Sequence, residues 1–178
     1  MTNRAVLPNI TFRMRVRDES VGGDNPYRWD YPTTEQLFEG NCVLFALPGA
    51  FTPTCSTYQL PDYERLYPEF QKAGIDNIFC LSVNDAFVMN AWAKQQNLQH
   101  VKVLPDGSGL FTSQMGMLVS KDNLGFGNRS WRYAAVTEGM KIKRIFMEDG
   151  FGNDVEDDPY GKSSPQNILK YLTGEDYE

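Results

Sequence analysis

Cys55 stands where a strand's exit loop turns into a helix, in the stretch Ala46-Leu47-Pro48-Gly49-Ala50-Phe51-Thr52-Pro53-Thr54-Cys55-Ser56. The run before the loop, Cys42-Val43-Leu44-Phe45-Ala46-Leu47, is continuously apolar and reads as a buried strand. The segment after it, Ser56-Thr57-Tyr58-Gln59-Leu60, can start a helix. At a helix N-terminus the first N–H groups lack partners and the dipole favours negative charge. Both effects stabilise a thiolate, so the chemistry this spacing predicts is attack by sulfur. Pro48 and Pro53 stiffen the approach by fixing φ. Thr52, three residues ahead of Cys55, brings a hydroxyl near the sulfur.

Competing chemistries find less support. The sole histidine, His100, sits at a predicted helix-to-strand junction and reads as a surface residue, which disfavours a cysteine hydrolase. No Cys-x-x-Cys occurs, so neither a zinc ribbon nor a thioredoxin-type redox pair is signalled, and no metal site is expected. Of the three cysteines, Cys42 and Cys80 fall in apolar runs, where a thiol usually behaves as a small hydrophobe. An odd, widely spaced set does not resemble a secreted disulfide framework.

The elements that must position Cys55 follow from the patterning. Ile10 to Arg17 alternates apolar and polar and predicts a half-buried strand with a basic, solvated outer face. Val21 to Pro26 is a loop. Thr33-Thr34-Glu35-Gln36 fits a capping box opening a short helix through Phe38. Leu60 to Lys72 is broadly helical, with Pro61 and Pro68 expected to kink or divide it and Gly74 to end it. Ile75 to Val83 predicts a second buried strand. Asn84 or Asp85 then caps a helix to about Asn97, with Phe87, Ala91 and Trp92 inward. Val101 to Leu104 is a third strand, closed by Pro105-Asp106-Gly107, and Ser108 is expected to cap a helix from Gly109 to Met115. Lys121 to Ser130 reads as a loop. Trp131 to Thr137 and Met140 to Met147 form a hairpin across Glu138-Gly139, and Ser164-Pro165 starts a last helix to Leu172. Alternating strands and helices followed by a hairpin predict an α/β fold of thioredoxin-like type, with a mixed central sheet flanked by helices.

The 178 residues suit one domain, residues 1–178, large enough for a full core. A formal net charge of −6 argues against a nucleic-acid partner. Met1 to Asn9 lacks an apolar leader, and no run is long enough to span a bilayer, so no membrane association is expected and the cytoplasm is.

The Cys55 loop closely resembles the active-site loop of the peroxiredoxins, whose motif Pro-x-x-x-Thr-x-x-Cys is filled by Pro48, Thr52 and Cys55. The wording Pro-Gly-Ala-Phe-Thr-Pro-Thr-Cys is similar to the type-five (plant type-two) subfamily. Cys80 to Val88, Leu104 to Gly107 and Leu124 to Tyr133 match it too, and the resemblance covers roughly Thr34 to Leu172.

The resemblance implies the same fold and a thiol-dependent peroxidase, acting on hydrogen peroxide and alkyl hydroperoxides without metal, haem, flavin or other cofactor. Cys55 becomes the nucleophile and is oxidised to a sulfenic acid. Arg132, just before the aromatic Tyr133, is implied to point at the sulfur, with Arg129 the weaker candidate. Donors for the charge that develops are expected from Arg132, the Thr52 hydroxyl and the N–H groups of Thr54 and Cys55, with Pro48 shielding the sulfur. Substrate is expected against Thr54, Phe51, Leu124 and Phe126, and a homodimer through Phe51 and Phe87. Many type-five relatives carry a resolving cysteine before the last helix, where this chain has Lys162. The partner this implies is an external thiol, glutathione with glutaredoxin or else thioredoxin. Some relatives carry a fused glutaredoxin domain, for which a chain ending at Glu178 leaves no room. A redox sensor or chaperone using Cys55 only as a switch is the alternative.

Overall fold

The apolar run at Cys42–Leu47 becomes the middle of a sheet. The computed structural model describes residues 4–178; Met1, Thr2 and Asn3, part of the stretch read as lacking a leader, lie outside the described residues. In chain order the elements are β1 (Met14–Arg17), β2 (Tyr27–Asp30), α1 (Thr34–Leu37), β3 (Asn41–Ala46), α2 (Leu60–Arg65), α3 (Tyr67–Lys72) and β4 (Asn77–Ser82). There follow α4 (Ala86–Gln95), β5 (Lys102–Pro105), α5 (Leu110–Gln114), β6 (Leu118–Ser120), β7 (Asn128–Ser130), β8 (Tyr133–Glu138), β9 (Lys141–Met147) and α6 (Pro165–Thr173). Five strands form one sheet in the order β5-β4-β3-β8-β9. β3 runs parallel to β4 and antiparallel to β8, so the sheet is mixed, as expected.

The centre of the sheet is apolar throughout because both faces are covered. Val43 and Phe45 join one core with Tyr63 of α2, Phe70 of α3, Trp92 of α4 and Ile168 of α6. Leu44 and Ala46 join the other with Phe12, Phe38, Phe111 of α5 and Trp131. Each large, fully buried side chain of this kind contributes about 1.5–3 kcal/mol relative to exposure. Phe45 stacks on Tyr63 at 3.9 Å between ring centroids, which ties β3 to the helix that follows Cys55.

Several local expectations are met. Thr33 and Gln36 make the reciprocal capping box. Pro61 and Pro68 each sit in the first turn of a helix, and the chain divides between them at Leu66. Asp85 is the residue that caps α4, accepting from the Val88 N–H at 2.9 Å.

Other expectations are corrected. The strand foreseen over Ile10 to Arg17 is regular only at Met14–Arg17, because Ile10 and Phe12 are drawn into the core while Thr11 makes a lone bridge to Thr33. Its partner β2 carried no strand signal. The basic face of β1 is not simply solvated: Arg15 lies over Trp29 at 5.0 Å and Arg17 over Tyr27 at 5.9 Å, in cation–π contact. In α4 the inward residues are Ala86, Met89 and Trp92; Phe87 and Ala91 face solvent. Asp106, not Ser108, caps α5, its carboxylate accepting from the N–H groups of Phe111 and Thr112. Within the span Lys121–Ser130 read as loop, β7 pairs antiparallel with β6. β8 starts at Tyr133 rather than Trp131, and its hairpin with β9 turns at Gly139 and Met140, with Glu138 opposite Lys141.

Candidate active site

The loop leaving β3 is fixed by backbone and by side chains of the neighbouring strand. Leu47 N–H donates to the Leu81 carbonyl at 3.3 Å, and Ala50 N–H to Asn84 Oδ1 at 3.0 Å. Phe51 adopts a positive φ of 65°, an uncommon state for a side chain of its size. The helix opens at Pro53, and Ser56 N–H donates to the Thr52 carbonyl at 3.0 Å, so Cys55 lies in its first turn. That turn is wide: Leu60 N–H donates to the Cys55 carbonyl, an i to i+5 bond over Cys55–Gln59. Trp92 Nε1 donates to Ser56 Oγ at 2.9 Å and seats the turn on α4.

The sulfur is completely buried, at 0% exposure. Arg132 Nη1 lies 3.5 Å from Cys55 Sγ and also donates to Gln59 Oε1. Its Nη2 donates to Asp158 Oδ1 at 2.5 Å. This guanidinium is only 2% exposed. Burial works against its charge, but Cys55 and Asp158 outweigh burial and hold its pKa above the usual range.

Arg129 is drawn to the same place. The strand does not extend back from Tyr133 through Ser130, so alternation does not carry Arg129 to the far face. Its Nη1 donates to the Pro48 carbonyl at 3.2 Å and its Nε to the Phe126 carbonyl at 3.1 Å. Gly49 permits this approach, since a Cβ there would stand 2.5 Å from Arg129 Nη1. Burial lowers the Arg129 pKa, while Cys55 acts to raise it.

The other expected residues are placed as follows. Pro48 lines a small cavity together with Arg132. Thr52 Oγ donates to the Gly49 carbonyl at 2.7 Å and so braces the loop. Thr54 is half-buried in the first helical turn. Phe126 lies under the Arg129 guanidinium at 5.2 Å, whereas Leu124 is exposed. Phe51 and Phe87 are 49% and 59% exposed.

Three participants carried no signal of their own in the sequence reading: Gln59, Asp158 and Tyr160. Gln59, four residues after Cys55, could have been found from helical spacing. Around the Arg132 guanidinium, Gln59 Nε2, Arg132 Nε and Tyr160 OH are buried without a hydrogen-bond partner. The Tyr160 ring lies 5.7 Å from the guanidinium. Buried polar groups left unpaired are costly, and three of them gather here.

Of the remaining thiols, Cys80 shares the core cluster of Cys55, whereas Cys42 lies in the cluster on the other face of the sheet. Burial pushes the Cys42 thiol up to about 11 and that of Cys80 well above its usual range. Lys162 Nζ pairs with Asp149 at 2.7 Å, and its backbone is tied down by buried Glu148. That carboxylate accepts from the N–H groups of Gly161, Lys162 and Ser163 and from Ser163 Oγ.

The Redoxin family matches residues 31–158. A peroxiredoxin of Rhizobium etli is 64% identical over 173 residues, covering 97% of each chain. This chain belongs to the peroxiredoxins. Like other peroxiredoxins it is a thiol-dependent peroxidase, and its kin are of the type-five, plant type-two kind: Peroxiredoxin-2D of Arabidopsis thaliana is 40% identical over 131 residues, 73% of this chain and 76% of that one. The peroxiredoxin fold is shared with a solved structure from Plasmodium falciparum, titled an antioxidant protein (1-Cys peroxiredoxin), at a TM-score of 0.88 and 34% identity over 96% of this chain and 98% of that one. Among the described residues, no helix is long and apolar enough to cross a membrane.

Proposed function

We propose that the chain reduces hydrogen peroxide and alkyl hydroperoxides through a sulfenic acid on Cys55, in a one-cysteine cycle. The observation that carries this reading is the buried Arg132 guanidinium, 3.5 Å from Sγ in the first turn of a helix. The Cys55 thiolate attacks the nearer peroxide oxygen, which keeps its substituent hydrogen and becomes the sulfenic oxygen. The O–O bond breaks and its electron pair leaves with the distal oxygen. That oxygen takes a proton from solvent and departs as water or alcohol. Arg132 supports the thiolate before attack and the leaving oxygen during it. The N–H groups of Thr54 and Cys55 add to the positive end of the helix. Thr52 and Pro48 hold the loop and shield the sulfur, and Phe51, Phe126 and Leu124 flank the approach. Arg129 supports the loop through the Pro48 carbonyl and contributes charge at longer range.

The sulfenic acid is then reduced by an external thiol. Cys42 and Cys80 sit fully buried in β3 and β4, and Lys162 stands where many relatives carry a resolving cysteine. Bridging needs Cα atoms within about 7 Å and converging side chains, which buried strand cysteines reach only through local unfolding. Intact mass after one equivalent of peroxide, without thiol, should show one added oxygen on Cys55. A loss of two hydrogens, mapped to Cys55–Cys42 or Cys55–Cys80, would overturn the one-cysteine cycle. Adding glutathione should convert the product to a mixed disulfide that glutaredoxin removes. Regeneration by thioredoxin with no glutathione adduct would assign the other reductant. A reducing compartment, the cytoplasm, would supply either thiol.

A homodimer through the face bearing Phe51 and Phe87 completes the reading. The exposed Phe87 ring packs edge-on against Trp29 at 5.6 Å, with the Arg15 guanidinium over both rings, and Phe51 is an exposed aromatic of the Cys55 loop. Light scattering at micromolar concentration should return twice the monomer mass; monomer alone would remove the dimer.

A further inference from the structure

We infer that Asp158 determines which peroxides reach Cys55, by latching the segment Glu156–Pro159 across the approach to Arg132. The inference rests on Cys55 being the nucleophile.

The segment is pinned on both sides. Before it, Asp154 N–H donates to the Ser120 carbonyl at 2.9 Å and Asp154 Oδ1 accepts from Asn123 N–H at 3.1 Å. After it, Glu148 holds Gly161 to Ser163. Between these anchors Asn123 Nδ2 donates to the Val155 carbonyl at 3.4 Å, and beyond it the ion pair of Asp158 Oδ1 with Arg132 Nη2, at 2.5 Å, ties the segment to the site. Beside it lies a cavity of about 10 Å³, lined by Pro48, Lys121, Trp131 and Arg132 together with residues 157–159 of the segment. That volume holds about one water molecule. Cys55 is at 0% exposure, so the site must open before a peroxide reaches the sulfur, and the segment tied to Arg132 by this ion pair is the wall that yields to a bulky one.

Hydrogen peroxide needs a small displacement, whereas a hydroperoxide bearing an aromatic group needs the segment lifted and the ion pair broken. The cost of breaking the pair therefore falls mainly on bulky substrates. The Asp158 side chain is 48% exposed, so salt weakens the latch from the solvent side.

The test compares kcat/KM for cumene hydroperoxide and for hydrogen peroxide in the same preparations. D158A should raise the ratio of the two by about tenfold, the scale of a hydrogen bond to a charged group. Loss of folded enzyme, or a misplaced Arg132, slows both substrates alike and leaves the ratio unchanged. Raising sodium chloride from low concentration to half molar should raise the wild-type ratio and leave that of D158A unmoved. A D158A ratio equal to wild type, or lower, overturns the inference, as does an equal salt response in both proteins. Cys55→Ser is measured alongside. Should it still consume hydrogen peroxide, the nucleophile itself is misassigned; should it be dead while the D158A ratio equals wild type, the latch alone falls.

Discussion

Replacing Cys55 by serine should abolish peroxide consumption, while Cys42→Ser and Cys80→Ser keep most of it. A serine hydroxyl is a far weaker nucleophile at neutral pH and cannot be oxidised to a sulfenic acid. The other two thiols offer no substitute. Burial holds Cys42 up at about 11 and Cys80 well above its usual range, so both remain protonated at neutral pH, and only the thiolate attacks. Neither lies on the Arg132 guanidinium. The measurement is peroxide loss under a regenerating thiol, with each variant matched for folded protein. Wild-type turnover in Cys55→Ser would remove the nucleophile and every step built on it.

The second large effect is expected at Arg132. Arg132→Met should slow oxidation of the Cys55 sulfur by roughly a hundredfold, since a pre-placed donor for developing charge is typically worth about 3 kcal/mol. Methionine fills much of the same volume but leaves Asp158, Gln59 and the sulfur without their shared donor. Arg129→Met should do less. That guanidinium bonds the Pro48 carbonyl rather than Sγ and is the more exposed of the two. Stopped-flow oxidation rates in the reverse order would transfer the role to Arg129.

The parts of the molecule that could be read in the sequence are those where local pattern and chemistry coincide. β3 is a run with no polar interruption because both faces are packed, and the Cys55 loop carries its own motif. The Arg132 position is legible through the stretch that ends at Tyr133. What could not be read depends on register and on long closure. β6 and β7 have three residues each, too few to show a period. Phe87 was expected inward, but capping by Asp85 sets the register of α4, which puts Ala86, Met89 and Trp92 on the buried face and Phe87 outside. Asp158 reaches Arg132 across 26 positions, past the β8–β9 hairpin and the irregular segment after it, so no periodicity foretells the contact. Arg129 reads as the weaker candidate; the break in the strand at Trp131 and Arg132 brings it to the site as well.

The four hydrogen bonds that Glu148 accepts bear on how such an enzyme can evolve. A chain that resolves its own sulfenic acid must release part of its structure once per turnover, so the segment carrying the second thiol has to stay loosely held. When reduction is delegated to another molecule, that demand ends. Here the same segment is stitched to a buried carboxylate and, through the Ser163 carbonyl, to Tyr63 of the core at 2.6 Å. Stability and turnover, which oppose each other where a segment must move, then cease to compete at this place. Under the one-cysteine cycle proposed above, the cost falls instead on a continuous supply of reduced thiol.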